Sequence, residues 1–384
     1  MFYILLVIIY MAFISLGLPD SLLGSAWPSM YGELGVPISF AGIISMIIAG
    51  GTITSSLFSD RLVRKLGAGK LTAVSVATTA LALFGFSVSH SFWMLVLFAV
   101  PFGLGAGGVD AAINNYVALH YSSRVMSWLH CMWGVGAITG PYIMGYALTG
   151  GQGFSMGYRY VSFLQMGLTV ILILSLPLWK NHVDTAQEDD TAPALSLKQV
   201  FKLKGAKEVL IAFLCYCAVE QTAMLWSASF LVLEHGMAAE VAASFASMFF
   251  IGITVGRFLN GFITVKFTDT ELIRAGQAII ALGVLLMLLP WTGCAIAGII
   301  VVGVGCAPIY PCIIHSTPAH FGAGNSQAII GVQMAFAYMG TLCAPPLFGL
   351  IANHIDVYLL PLYLLVFTVV MAVMYQRVVQ KTDG

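Results

Sequence analysis

Twelve long apolar runs constrain the fold of this chain more tightly than any other feature of its sequence. They cover residues 3–30, 37–58, 71–89, 92–117, 125–148, 158–179, 206–232, 240–263, 273–290, 293–316, 327–351 and 357–377. A helix that crosses a bilayer needs about 20 mostly apolar residues. Charged residues make up 8% of the chain, against about 25% of a soluble domain. We therefore predict an all-α integral membrane protein with 12 transmembrane helices and exclude a soluble globular enzyme.

The sequence holds no pattern that is typical of a catalytic or metal-binding protein. Its seven cysteines form no CxxC pair and lie in apolar runs, which favours packing over a disulfide framework or metal ligation. The run Gly103-x-Gly105-x-Gly107 follows no strand, so it predicts close helix packing rather than nucleotide binding. We expect no enzyme activity, no metal, no cofactor and no nucleic-acid partner.

The sequence contains an internal repeat. The segment Phe102–His120 recurs as Val302–His320, with matching glycines and a matching final histidine. The Gly-Pro run of the fifth span recurs in the eleventh span, as Gly140-Pro141 and Ala344-Pro345. Two homologous halves with polar groups near the middle of the membrane are typical of alternating-access transporters. We predict two pseudo-symmetric six-helix bundles that rock against each other.

The longest polar segment of the chain divides the two halves. The distribution of lysine and arginine residues among the loops predicts the orientation of the protein in the membrane. We predict an N-terminal bundle over residues 1–180, a cytoplasmic linker over 181–205 and a C-terminal bundle over 206–384. The acidic run Glu188–Asp190 fits a solvated part of that linker. Lysines and arginines fall almost entirely on the linker's side of the membrane, with Arg159 as the exception in the loops. The positive-inside rule then predicts that both termini face the cytoplasm of a bacterial inner membrane.

Two acidic residues within apolar spans are the candidates for proton coupling. A charge near the bilayer centre costs roughly 2.5–3.5 kcal/mol on insertion scales, so it needs a partner, a water path or a function. Asp20 lies in the first span and Asp110 in the fourth. A carboxyl group in a water-poor site holds a proton until water reaches it, which links proton movement to a conformational cycle. The alternative is a structural hydrogen bond between spans.

A charged segment after the second span resembles a family signature. Residues 56–65 read SLFSDRLVRK and resemble the G-x-x-x-D-R-x-G-R-[RK] loop of the major facilitator superfamily, with Ser56 and Val63 at the glycine positions. The resemblance covers nearly the whole chain and implies a cytoplasmic gate. Its residues would be Asp60, Arg61, Arg64 and Lys65, with Arg257 and Asn260 as second-half counterparts. The alternative is a basic inner loop that only obeys the topology rule.

A narrower resemblance is to the fucose–galactose–glucose:proton symporters and the sodium-dependent glucose transporter-like proteins. Four stretches carry it: residues 17–28, 110–116, 129–141 and 216–226. In fucose permease-like members a glutamate begins the second of these stretches, where this chain has Asp110. The resemblance implies that one of Asp20 and Asp110 loads the proton while the other responds to sugar occupancy. It also implies that Glu220 faces the substrate cavity.

Polar and aromatic side chains in the spans are the candidates for substrate binding. Sugar hydroxyls bind carboxylate and amide oxygens, which favours Glu220 and Asn114, the latter one helical turn from Asp110. Tryptophan can stack on a sugar ring or anchor a membrane interface. For the remaining candidates, a hydrogen bond between helices is the alternative. The full candidate set is Asn114, Asn115, Glu220, Trp27, Trp226, His130, Tyr216, Tyr310, His315 and Gln333.

These patterns together predict a secondary active transporter. We expect it to move a neutral hexose such as glucose, galactose or fucose by proton-coupled symport, as a monomer in the bilayer. A proton-coupled drug or metabolite antiporter and a sodium-coupled sugar symporter remain open, because intramembrane carboxylates serve all three. A membrane receptor that no longer transports is disfavoured, since the long loops or extra domain needed for signalling are not apparent in the sequence.

Overall fold

The computed structural model describes residues 2–37, 40–180, 195–237 and 239–382, and within these ranges the chain is helical with no strand. The first seven helices are α1 (Phe2–Asp20), α2 (Leu22–Glu33), α3 (Ala41–Leu66), α4 (Ala68–Ser87), α5 (Phe92–His120), α6 (Ser123–Thr149) and α7 (Gly153–Lys180). The remaining helices are α8 (Leu197–Val200), α9 (Ala206–Leu233), α10 (Ala239–Ile263), α11 (Asp269–Met287), α12 (Thr292–Phe321), α13 (Ala323–His354) and α14 (Leu360–Thr382), with a 3-10 turn at Val357–Leu359.

Every predicted span corresponds to a described helix. Ten of the described spans are long and apolar enough to cross a membrane, with α1 and α2 together forming the first. Large apolar side chains such as Trp93, Leu174 and Val366 are exposed on these helices, at 74%, 74% and 61%. Exposed apolar side chains are compatible with lipid tails. The helical backbone is compatible with them too, because each helix satisfies its own N–H and C=O groups. The prediction of an all-α membrane fold is therefore confirmed.

The first span is broken where its acidic residue lies. Pro19 has no backbone N–H and cannot donate to the carbonyl of Ser15 one turn earlier. α1 ends at Asp20 and α2 begins at Leu22. Asp20 is thus placed at an interruption in the helix rather than in its regular interior.

The chain forms two compact units. The first contains Met1–Tyr116 and Leu129–Leu195, and the second contains Val117–Trp128 and Ser196–Gly384. The sequence-based division keeps residues 117–128 with the N-terminal bundle, whereas their side chains bond to α10, α11 and α12 of the second unit. The predicted acidic run Glu188–Asp190 lies outside the described residues. Part of the predicted linker, by contrast, forms the short helix α8.

Repeated glycines pack equivalent helices in both units. A Cβ atom on Gly103 would lie 2.2 Å from a carbonyl oxygen of α3, and one on Gly303 would lie 2.6 Å from a carbonyl oxygen of α10. On Gly105 and Gly305 it would lie 2.8 Å from carbonyl oxygens of α4 and α11 respectively. Both glycine pairs therefore allow backbone-to-backbone approach, as small residues do in membrane helices. The sequence repeat therefore corresponds to a repeat of the same helix-to-helix contacts in both units.

The segment predicted as a gate loop is helical. α3 continues through Asp60 and Lys65 to Leu66 and ends at Gly67, whose φ of 78° stops the helix. Asp60 and Arg64 are one turn apart and form an ion pair at 3.0 Å. The prediction of a loop here was wrong, because no helix-breaking residue occurs before Gly67 and the i,i+4 pair supports the helix.

Candidate functional site

A buried carboxyl group in the first unit is connected to an imidazole through one amide. Asn114 Nδ2 donates to Asp110 Oδ1 at 2.8 Å, and Asn114 Oδ1 lies 3.1 Å from His130 Nε2. The three residues are 5%, 0% and 5% exposed. α5 supplies Asp110 and Asn114 one turn apart, and α6 supplies His130, whose ring packs edge-on against Phe13 of α1. We name these three polar residues the Asp110 cluster.

The bonding pattern fixes which atoms in the Asp110 cluster carry protons. An amide oxygen can only accept, so His130 Nε2 must carry the hydrogen that it shares with Asn114 Oδ1. Asn114 Nδ2 also donates to the backbone carbonyl of Asp110 at 3.0 Å, which holds the amide in that orientation. Any ligand that competes for one end of this amide therefore acts on the carboxyl group at its other end.

Asp20, the second acidic residue of the first unit, has a different environment. Its side chain is exposed, and its Oδ2 accepts a hydrogen bond of 2.8 Å from Trp133 Nε1 of α6. It also lines a cavity of about 10 Å³ together with Thr79 and Gln165. Asp20 is thus accessible from outside the protein interior, whereas Asp110 is enclosed within it.

The second unit holds a buried ion pair. Arg257 Nη2 of α10 lies 3.0 Å from Glu220 Oε1 of α9, and their side chains are 4% and 9% exposed. The same Nη2 donates to the hydroxyl of Tyr216 at 3.4 Å. The rings of Tyr216 and Tyr310 meet edge-to-face at 5.9 Å, which places Tyr310 of α12 beside the pair. We name these four residues the Glu220 cluster.

Arg257 therefore lies elsewhere than the sequence suggested. It was predicted to close a cytoplasmic gate, but the structure pairs it with Glu220 in the interior of the second unit. A buried charge without a partner carries a large desolvation cost, which an opposite charge in contact partly offsets. The contact with Glu220 therefore explains why Arg257 is tolerated in an apolar helix. Glu220 is correspondingly the partner of a cation rather than an unpaired acceptor.

Several of the predicted ligands instead join helices. Trp27 is 4% exposed and belongs to the apolar core of the first unit. Trp226 Nε1 of α9 donates to the Pro345 carbonyl of α13 at 3.0 Å. Gln333 is fully buried and exchanges hydrogen bonds of 3.1 and 3.2 Å with Thr317. The bonds of Gln333 match the alternative that the sequence left open for it, a hydrogen bond between helices.

His315 and Asn260 contact the segment Val117–Trp128. His315 Nδ1 lies 2.5 Å from Asp269 Oδ2, and its Nε2 lies 3.1 Å from the Tyr121 carbonyl oxygen. Asn260 Nδ2 donates to Ser127 Oγ at 2.7 Å. His315 therefore bonds protein groups through both ring nitrogens, which fits the alternative of a structural hydrogen bond that the sequence left open for it.

Other predicted site residues take simpler positions. Asn115 is 6% exposed and follows Asn114 on the buried part of α5. Arg61 lies over the ring of Phe58 at 5.7 Å, and Lys65 is exposed near the end of α3. Among the described residues, no group of three or more His, Cys, Asp or Glu side chains is arranged to hold a metal ion.

Two residues near Asp20 were not predicted from the sequence as site residues: Trp133, which donates to its carboxyl group, and Gln165, which lines the same cavity. Gln165 is an amide in an apolar span, which is the same signal that identified Asn114, so it could have been found. Trp133 gives no such signal, because tryptophan is common in membrane helices and its partner lies 113 positions away. Only the packing of α6 against α1 brings its N–H to the carboxyl group.

Two duplicated helical units that each bury a carboxyl group define a class of multi-span membrane carriers. The family model described as Major Facilitator Superfamily matches residues 9–299 and 209–383. The chain therefore belongs to the major facilitator superfamily. Since its family and its relatives are transporters, it is a multi-pass membrane transporter and not an enzyme.

Individual relatives refine this comparison. The chain is 26% identical over 333 residues to the uncharacterized transporter y4wD of Sinorhizobium fredii, covering 85% of each. It is 21% identical over 311 residues to the glucose/mannose transporter GlcP of Bacillus subtilis, covering 79% of this chain and 77% of GlcP. The crystal structure of the E. coli fucose:proton symporter FucP superposes with a TM-score of 0.76 at 16% identity, covering 100% of this chain and 98% of FucP.

Proposed function

We propose that this transporter imports a neutral hexose such as glucose, galactose or fucose by proton-coupled symport with alternating access. The observation that carries the proposal is the Asp110 cluster, in which a carboxyl group shares one amide with the imidazole of His130. Two similar proteins support the substrate class, since one is a glucose/mannose transporter and the other a fucose:proton symporter.

Coupling follows from the two ends of Asn114. A sugar hydroxyl that takes the place of His130 at Asn114 Oδ1 alters the hold of Nδ2 on Asp110. The free energy of protonating Asp110 then depends on whether sugar is bound, and by reciprocity sugar affinity depends on the proton. Asp20, being exposed, loads the proton, and Asp110 responds to the sugar.

We propose that the Glu220 cluster, within the second unit, also binds sugar. Tyr216 and Tyr310 offer hydroxyl groups and ring faces, and the Glu220–Arg257 pair offers both acceptors and donors with no net charge. Such a surface suits a neutral polyol better than an ion, because an ionic ligand would have to compete with the pair. We propose that no further partner is needed beyond the sugar and the bilayer.

Uptake into proteoliposomes tests the proposal. Labelled hexoses are supplied under separately imposed proton and sodium gradients, with exchange of sugar measured in parallel. We expect a proton gradient to drive accumulation in the parent protein. Asp110→Asn should abolish accumulation yet retain exchange, because exchange needs binding without net proton movement. The control Asp356→Asn changes an exposed aspartate whose capping bond to Tyr358 an asparagine can also accept.

Two results would overturn the assignment. Unchanged proton-driven uptake by Asp110→Asn would remove that residue from the coupling mechanism. Proton movement that is independent of sugar and driven by cationic drugs would instead indicate the antiporter that the sequence leaves open.

A further inference from the structure

A small cavity in the first unit lies against Asp20. Its volume is about 10 Å³, which is room for about one water molecule or one small ion. Four side chains with oxygen atoms line it: Ser15, Asp20, Thr79 and Gln165. The rest of its wall is apolar, so the site is small and polar on one side.

Pro19 fixes the amide that faces this cavity. Because Pro19 lacks an N–H, the Ser15 carbonyl has no helical donor, and Gln165 Nε2 supplies one at 2.7 Å. The amide is thereby oriented with its oxygen, Oε1, toward Thr79. Gln165 is 1% exposed, so this orientation is held in the interior.

Thr79 has one hydroxyl proton for two acceptors. Its Oγ1 lies 2.9 Å from Gln165 Oε1 and also 2.9 Å from the Val76 carbonyl oxygen. When the proton points to Val76, two oxygen lone pairs face each other at the wall of the cavity. A cation or a donor beside them relieves that repulsion.

The charge needed to hold a cation is supplied by Asp20. Its Oδ2 accepts from Trp133, and its Oδ1 accepts no hydrogen bond from the residues that the structure describes. The residue also ends α1, and the C-terminal end of a helix favours positive charge. Carboxylate, hydroxyl and carbonyl oxygens are the ligands that hard cations prefer, and interrupted helices commonly supply them in transporters.

We propose that this cavity binds one small monovalent cation, Na⁺, through Asp20, Thr79, Gln165 and Ser15. The inference rests on the proposed function in one respect: Asp20 is also the group that loads the proton there. Na⁺ and H⁺ therefore compete for one carboxyl group, so that Na⁺ binding weakens as the pH falls.

Binding of radioactive Na⁺ to the purified full-length protein in nanodiscs tests the site. Choline chloride keeps the ionic strength constant, and unlabelled Na⁺ serves as the competitor. We expect saturable binding that unlabelled Na⁺ displaces and that is lost in Asp20→Asn. Thr79→Val should weaken binding about tenfold, the lower end of what altered ligand shells cost a metal site, and Thr79→Ser should restore it.

The adjacent Thr78 provides the matched control. Its hydroxyl donates to the Val74 carbonyl and does not line the cavity, so Thr78→Val should bind Na⁺ as the parent does. Equal Na⁺ binding by Asp20→Asn, or no saturable binding by the parent, would overturn the inference.

Sugar uptake in the same preparation separates this inference from the proposed function. If uptake is driven by protons but the protein does not bind Na⁺, the sodium site is overturned and the cavity holds only water. The proposed symport would then still stand. Na⁺ binding without proton-driven uptake would overturn the proposed symport and leave the sodium site standing.

Discussion

At the scale of single residues, the molecule places its charges by pairing them. Glu220 and Arg257 are both nearly inaccessible, and they meet at 3.0 Å. An isolated charge in such a position would lose its hydration without compensation, whereas in the pair each charge offsets part of the desolvation cost of the other. The pair thus ties α9 to α10 and carries no net charge.

Removing one partner of this pair should be more harmful than removing both. Arg257→Leu leaves Glu220 buried without a cation, so we expect a loss of about 3–5 kcal/mol in unfolding free energy. Combining it with Glu220→Gln should recover part of that loss. Denaturant unfolding of the single and double variants in detergent measures the coupling.

A contrasting ion pair supplies the control for this cycle. Lys381 is 49% exposed and lies 2.6 Å from Glu208. Since exposed pairs contribute only about 0–1 kcal/mol, Lys381→Leu should leave stability nearly unchanged. Equal effects of Arg257→Leu and Lys381→Leu would contradict the account of the buried pair.

At the scale of helices, close approach depends on residues without side chains. A Cβ atom on Gly17 of α1 would lie 2.1 Å from the Trp133 carbonyl oxygen of α6. The obstructing atom belongs to a backbone and cannot rotate away. The same contact brings Trp133 to Asp20, so the packing of these two helices also sets the environment of the residue that we propose loads the proton.

Gly17→Ala should therefore disrupt this helix pair. We expect destabilisation of about 1–3 kcal/mol or more, the usual cost of overpacking, together with impaired proton-driven uptake. Gly145→Ala is the matched control, because a Cβ atom there meets nothing within 4 Å. Monodispersity after heating in detergent measures the difference, and equal behaviour of the two variants would contradict the packing argument.

The helices could be predicted from the sequence because the bilayer imposes their length and composition. α5 and α7, for example, lie within a few residues of the predicted spans 92–117 and 158–179. The partners of polar side chains could not be predicted so well. Whether Arg257 faces Glu220 depends on the rotation of α10 about its axis relative to α9. The hydropathy of the sequence does not predict this rotation. Within one helix the sequence shows that Asp110 and Asn114 lie one turn apart, and the structure joins their side chains by a hydrogen bond.

At the scale of the whole molecule, duplication explains where the polar groups lie. The two units repeat one packing scheme, and each keeps a different polar centre within it: a carboxyl–amide–imidazole series in the first and an ion pair in the second. A repeated scaffold with unlike centres allows one half to manage the proton while the other contributes to the sugar site, as we propose above.

The orientation in the membrane makes a further prediction for the whole molecule. Because Lys and Arg gather on one side of the predicted spans, we expect both termini in the cytoplasm. Fluorescent-protein fusions at either end should be bright, and alkaline phosphatase fusions at either end should be inactive. A phosphatase-active fusion at one terminus would mean an odd number of spans and would contradict the twelve-helix topology.

The proline next to Asp20 has a mechanical consequence. By withdrawing one backbone donor, it interrupts the hydrogen-bond ladder of the first membrane crossing beside the residue that we propose binds the coupling ion. A change of charge at Asp20 would therefore act where α1 ends and not within a continuous helix.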